Sequence, residues 1–312
     1  MLTEAECNVC AGRDIALFCM AFDRFRGRRE PVWRIFRCRA CGFGWTSPPL
    51  PETEIAQHYP AAYLGDTART LDDFFSGKLA RSRAWKGETE KTRLVERCIR
   101  SGRILDVGCG DGKFLWALNS ERWDRTGVDL SSATLALVRS RMPGLQLVTG
   151  DLRCDELRAE QFDVITFWHV FEHLPNPAEN LRRAQNLLKP GGWIFISLPR
   201  LDSLQALLFK QYWYPFDDVP RHLYHFSRKS LELLMGKAGF QVKQAVFFSR
   251  RVNFHSLKHS LLNWSRECTR SSVPYYLLKP MLLCFPLIEV FTDSYGILTA
   301  IAQKAPVPDR GN

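Results

Sequence analysis

The stretch RILDVGCGDGKFL, Arg103 to Leu115, decides the fold. Ile104, Leu105 and Val107 form an apolar run that reads as a buried parallel strand, and Gly108, Gly110 and Gly112 permit a tight turn into a helix starting near Lys113. A strand, a glycine loop and a helix N-terminus together bring bare backbone against a ligand, and open α/β sheets hold ligands at the carboxyl ends of their strands. The loop is G-x-G-x-G with Asp106 and Asp111 beside it, not the G-x-G-x-x-G of dinucleotide sites, so the ligand expected is one with positive charge. Asp129 ends the next apolar run, TGVD, about 20 residues on, where a strand-end carboxylate takes ribose hydroxyls.

Outward from the loop, strand and helix patterns alternate: TGVDL then SSATLALVRSRM, LQLVTGDL then a short polar helix, FDVITF then AENLRRAQNLL, and GGWIFISLP. This order predicts a doubly wound α/β sheet. These residues, with WHVFEHLPNP (168–177), KPGG (189–192) and PRHLYHFS (220–227), resemble the class I S-adenosylmethionine-dependent methyltransferases of the Methyltransferase-11 and Methyltransferase-23 groups. The resemblance implies a Rossmann-like seven-stranded sheet whose last two strands, FQVKQAVFF and GILTAIAQK, are antiparallel. It implies S-adenosyl-L-methionine bound by Asp106, Gly108, Cys109, Gly110, Asp129, Leu130, Asp151, Leu152, Trp168 and His169, with Asp151 alternatively an N-cap. Glu172 and the candidate catalytic residues His169 and His173 follow the central strand, with scaffolding as the alternative. His222, also a catalytic candidate, Arg221 and His225 lie in PRHLYHFS as groups for reading or deprotonating the acceptor, with helix capping as the alternative for His225.

Ahead of this core, Cys7-x-x-Cys10 and Cys38-x-x-Cys41 have the spacing of a four-thiolate zinc ribbon, which fills the coordination shell and makes the metal structural. The other six cysteines are scattered and read as small buried hydrophobes. MLTEAECNVC carries no charged-then-apolar leader, so the cysteines point to a reducing cytoplasm, with a peripheral place at the inner face of the membrane as an extension. TSPPLPE (46–52) sets a boundary near residue 50, giving a ribbon at 1–50 and a methyltransferase domain at 51–312. That domain divides into a cofactor core at 102–199, an aromatic lid at 201–228 and a helical insertion at 249–294 before the last strand. Helices are expected over 53–101, where Tyr59 and Tyr63 either cover the cofactor or pack in the core.

The formal net charge of +10 suggests an acidic partner such as phosphate, nucleic acid or a lipid surface, and generic solubility explains it equally. Three readings of function follow. The first is a methyltransferase acting on a small-molecule, sugar, glycan or lipid-linked acceptor, with Phe209, Tyr212, Trp213, Tyr214 and Phe216 lining an apolar pocket. The second is an RNA methyltransferase gripping phosphates with Arg24, Arg26, Arg28, Arg29, Arg34, Arg37 and Arg39. The third is a non-catalytic binding scaffold. The insertion run YYLLKPMLLCFPLIEVF is too short and too interrupted to cross a bilayer. Residues 255–291 therefore suit peripheral membrane contact, packing on the domain or a contact between subunits, and the oligomeric state stays open.

Overall fold

The computed structural model describes residues 6–58, 62–77, 83–246 and 250–306. The amino-terminal strands β1 (Ile15–Phe22), β2 (Val32–Cys38) and β3 (Gly44–Ser47) form an antiparallel meander. The main sheet begins with β4 (Gly102–Val107), β5 (Trp123–Asp129), β6 (Gln146–Thr149), β7 (Phe162–Trp168) and β8 (Leu188–Pro199). After the two-residue strand β9 (Tyr224–His225), it closes with β10 (Phe240–Val246) and β11 (Ile297–Lys304).

The seven strands lie in the order β10-β11-β8-β7-β4-β5-β6, with β11 antiparallel to both neighbours and the remaining pairs parallel. The expected Rossmann-like sheet with its antiparallel last pair is therefore present. Parallel strands need crossover connections, and the helices Lys113–Ala117, Ser132–Arg141 and Pro177–Leu187 supply them. Helices on both faces explain why Ile104, Leu105, Val164, Ile165, Phe167, Ile194, Phe195 and Ile196 are buried without alternation. The short polar helix expected after Leu152 does not form; residues 151–161 are turns, so Asp151 caps no helix there. Tyr59 lies outside the described residues, as does the side chain of Tyr63.

The chain order reverses at β4, which has β5 on one side and β7 on the other. A crevice must open there at the carboxyl ends, because the connections leave in opposite directions.

The ribbon strands are joined to the segment after β8. β9 pairs antiparallel with β3, Gly44 opposite His225 and Trp45 opposite Tyr224, so residues 15–47 and 224–225 share one four-stranded sheet. A file of aromatic contacts runs from the ribbon to the central strand: Phe43 to Phe226 at 5.4 Å, Phe226 to Phe171 at 5.4 Å and Phe171 to Phe167 at 5.5 Å. Cys7, Cys38, Cys41, Phe43 and Trp45 thereby belong to the same apolar core as Leu105 and Phe167.

Trp213 and Phe216, expected to line an acceptor pocket, are fully buried. They pack with Ala21 and Trp33 of the ribbon strands and with Leu257 and Leu261 of the helix Arg250–Thr269. Their role in the fold is a second core, because three elements from distant parts of the chain converge on them. No helix among the described residues is long and apolar enough to cross a membrane.

Candidate functional site

The glycine loop follows β4 as expected. Gly108, Gly110 and Gly112 have φ of 66°, 49° and 70°, the left-handed region in which L side chains are strained. At Gly108 space is also decisive, since a Cβ would lie 2.6 Å from Val170 Cγ2. The Gly108 N–H donates to the Val128 carbonyl at 2.7 Å, which ties the loop to the end of β5.

Asp129, the last residue of β5, is fixed by two backbone donors: Gly110 N–H to Oδ2 at 3.0 Å and Ser131 N–H to Oδ1 at 2.9 Å. Each oxygen retains acceptor capacity for a ligand hydroxyl. Leu130 beside it is exposed, an apolar side chain at the crevice mouth. Asp106 is buried in the floor, and its Oδ1 accepts from Thr166 Oγ1 at 2.7 Å. Burial pushes the Asp106 carboxyl up to about 7, against the Thr166 hydrogen bond and the charge of Lys91, which lower it. A cation arriving above it would favour its ionised form. Asp111 is satisfied locally by Lys113 Nζ at 2.7 Å.

Farther along the sheet edge, burial raises the Asp151 carboxyl, but hydrogen bonds and charge from Arg153 outweigh it and hold the group below its usual range. Leu152 and Cys109 are buried, and burial raises the Cys109 thiol well above its ordinary value. Cys109 therefore offers backbone and bulk, not a thiolate. Trp168 is buried edge-on to Phe114 at 5.4 Å, with Lys91 Nζ 5.5 Å from its ring centroid.

At the end of β7, His169 adopts φ 57°, a conformation costly for a non-glycine residue and found where surroundings over-determine it. Its N–H donates to the Ser197 carbonyl at 2.8 Å. About a third of the side chain (32%) stays accessible, while Nε2 is buried without a hydrogen-bond partner. Burial, then Lys91 and His173, push the imidazole down to about 3, so it is neutral at physiological pH.

Behind it, the fold gathers a cluster that the sequence had left in two distant motifs. Glu172 Oε1 lies 3.9 Å from His169 Nδ1 and 3.9 Å from His222 Nε2, and the rings of His173 and His222 meet at 4.5 Å. The Glu172 carboxylate is buried with neither oxygen hydrogen-bonded, and burial, reinforced by Asp218, pushes it up to about 8. His173 Nδ1 sits 3.1 Å from the Arg221 carbonyl, and burial lowers both His173 and His222. Ligand atoms of Glu172, His173 and His222 all lie within 4.8 Å of one another, a spacing that could also hold a metal ion.

His225 stands apart, buried beside Thr46 Oγ1 at 3.1 Å. Arg221 is not available to an acceptor: it is buried, pairs with Asp218 and Asp23, and donates to the His58 carbonyl at 2.9 Å. Asp23, Asp218, Thr166 and Lys91 were missed in the sequence. No motif marks them, since each matters only through a partner at least several dozen residues away or through its place against Arg221.

The four thiols of Cys7, Cys10, Cys38 and Cys41 also lie within 4.8 Å of one another, with Cys7 to Cys41 and Cys10 to Cys38 each 3.6 Å. A tetrahedral zinc with bonds of about 2.3 Å requires sulfurs about 3.8 Å apart, so the residues fit that ion.

With this geometry in view, similarity to known proteins is specific. Residues 79–245 match a family described as a methyltransferase domain. A ubiquinone biosynthesis O-methyltransferase of Bordetella avium (strain 197N) is 35% identical over 104 residues, 32% of this chain and 43% of that one. The Pseudomonas putida (strain GB-1) protein of the same name is 31% identical over 165 residues, 49% of this chain and 71% of that one. The chain thus spans less than half the length of the first of these relatives. Among solved structures, phosphoethanolamine N-methyltransferase 2 of Haemonchus contortus, with phosphomonomethylethanolamine and S-adenosylhomocysteine, superposes with a TM-score of 0.50. That match is at 19% identity and covers 78% of this chain and 59% of that one, a likeness of fold alone.

Proposed function

The chain belongs to the methyltransferase-domain family, and on that premise we propose that it transfers a methyl group from S-adenosylmethionine to the hydroxyl of a small-molecule acceptor. The single observation that carries the reading is the junction at the β4 reversal, where the left-handed glycine loop donates from Gly110 N–H to the Asp129 carboxylate at the end of β5. Asp129 would hold the ribose hydroxyls, the loop would let the ligand approach backbone, and Leu130 and Leu152 would hold the adenine near Asp151. Asp106, held by Thr166, supplies negative charge beneath the cationic part of the ligand.

The cofactor brings a methyl group already activated on a sulfonium, so the protein's task is to orient the acceptor and remove its proton. His169 is the group we assign to that proton on position: it stands in a strained backbone at the end of the central strand, with about a third of its side chain accessible. Glu172, His173 and His222 pack behind it, with Glu172 Oε1 3.9 Å from His169 Nδ1 and from His222 Nε2, a distance of packing and not of hydrogen bonding. The choice of a hydroxyl rests on the O-methyltransferases named above. Arg24 is committed to Glu267 and Asp217 within the fold, which removes that one of the seven arginines from a phosphate-gripping surface.

The four thiolates would hold a zinc ion. With four protein ligands it leaves no open position, so its contribution is to the fold.

The test is calorimetry with S-adenosylhomocysteine followed by labelled-methyl transfer to phenolic, glycan, lipid and RNA pools. Micromolar binding with label appearing in small hydroxyl compounds is the expected result. Label in RNA would overturn the acceptor class, binding without turnover on any pool would make the chain a scaffold, and absence of binding would overturn the reading altogether.

A further inference from the structure

The insertion between β10 and β11 begins beyond the family match, and its second half does something the first does not. The helix Arg250–Thr269 is built into the fold. Leu257 and Leu261 enter the core around Trp213, and Tyr275 and Leu282 of the following turns pack into the same cluster. Glu289, the sole acid between residues 270 and 292, points inward. Its carboxylate accepts from Gln205 Nε2 at 2.8 Å and from Asn253 Nδ2 at 2.6 Å, and it is fully buried. The segment is thus pinned on its inner side by both packing and a buried polar network.

Its outer side is apolar. Val273, Tyr276 and Leu277 of the helix Val273–Leu278 are exposed, as are Leu287, Ile288, Val290 and Phe291 of the helix Phe285–Thr292, with Phe291 at 89%. Seven large apolar side chains standing in water between residues 273 and 291 is not the usual surface of a soluble monomer. Arg266, Arg270 and Lys279 are exposed beside them, and with Glu289 withdrawn no acid of 270–292 is presented to solvent.

We infer that the face formed by 273–291 docks on an anionic bilayer surface, its apolar side chains entering the headgroup boundary and Arg266, Arg270 and Lys279 pairing with lipid phosphates. Apolar side chains rimmed by cations are the signature of interfacial helices, and each basic residue near an acidic membrane adds to the attraction. A second copy of the chain is disfavoured as the occupant. Two-fold self-association would set this face against itself, where Arg266, Arg270 and Lys279 meet no exposed acid of 270–292 and the neighbouring Asp293 is taken by Arg228. The formal charge of +10 adds long-range attraction to the same surface. The proposal does not rest on methyl transfer or on any acceptor.

The test is co-sedimentation of the full chain with vesicles of phosphatidylcholine and phosphatidylglycerol in equal parts, against phosphatidylcholine alone. The expected result is binding to the mixed vesicles that weakens with salt. The double substitution Leu277→Ser and Phe291→Ser should lower it by about tenfold, and Arg270→Glu with Lys279→Glu by a similar factor. Because all four positions are exposed, each variant should keep the wild-type melting temperature and S-adenosylhomocysteine affinity, which separates loss of docking from loss of folding. Absence of binding to the mixed vesicles overturns the proposal. So does light scattering that shows a dimer dissolved by Leu277→Ser and Phe291→Ser while vesicle binding is unchanged.

Discussion

The glycine-loop crevice and the aromatic segment after β8 are both rich in residues that sequence reading placed at the site, yet they behave in opposite ways. In the crevice, Gly108, Gly110, Asp106 and Asp129 lie together where the motif puts them, because strand, turn and helix are adjacent in sequence and the sheet leaves few ways to arrange them. In residues 201–228, Trp213 and Phe216 turn inward and become core, while His222 is delivered to Glu172. A motif made of backbone conformation carries its geometry with it. A cluster of aromatic side chains acquires its place only from what packs against it.

That contrast can be broken, and the largest effect is expected at the ribbon. If the meander were an appendage, Cys38→Ser or a strong chelator would leave the rest of the chain intact. Since Cys38 and Cys41 share a core with Phe167, either treatment should instead lower the unfolding free energy of the whole chain, by more than about 5 kcal/mol given ~10–16 kcal/mol for four-ligand zinc binding. Trp213→Ala should cost about 3–5 kcal/mol in denaturant unfolding, as for a fully buried aromatic. A residue lining a pocket would alter acceptor KM and leave stability alone, so an unchanged midpoint would restore the lid.

Asp129→Ala sharpens the other side of the comparison. It should weaken S-adenosylhomocysteine binding by about tenfold to a hundredfold, the worth of charged hydrogen bonds to ligand hydroxyls, with little change in melting. The last effect is a slope against pH, small at any one step. Glu172 is raised to about 8 in the folded chain, so the folded state binds its proton more tightly than the unfolded state does. Its contribution is full below the ordinary carboxylate range and is lost as pH rises toward 8. Glu172→Gln should therefore gain stability relative to wild type across that window, by at most about 1.4 kcal/mol per pH unit. Parallel stability curves would show that Glu172 ionises freely.

The legible part of the site was that carried by local pattern. The order of strands, the loop and the carboxylates of Asp106 and Asp129 follow from periodicity, glycine spacing and the offset between strand ends. Asp151 was legible as a strand-end acid but not as a helix cap, because its carboxylate is taken by Arg153 and the chain beyond runs in turns. Arg221 was read as a group for the acceptor, and Asp23 and Asp218 neutralise it instead. Asp23 lies in the ribbon, nearly two hundred residues away.

From the sequence alone come the parallel sheet, its ligand crevice, the four-thiolate knuckles and the family to which the chain belongs. These depend on conformations and spacings that a short run of residues imposes on itself. Only the tertiary structure decided that the ribbon shares its sheet with β9, that Trp213 and Phe216 are core and that Glu172, His173 and His222 meet. Those outcomes depend on burial, and burial is settled by distant segments competing for the same apolar surface.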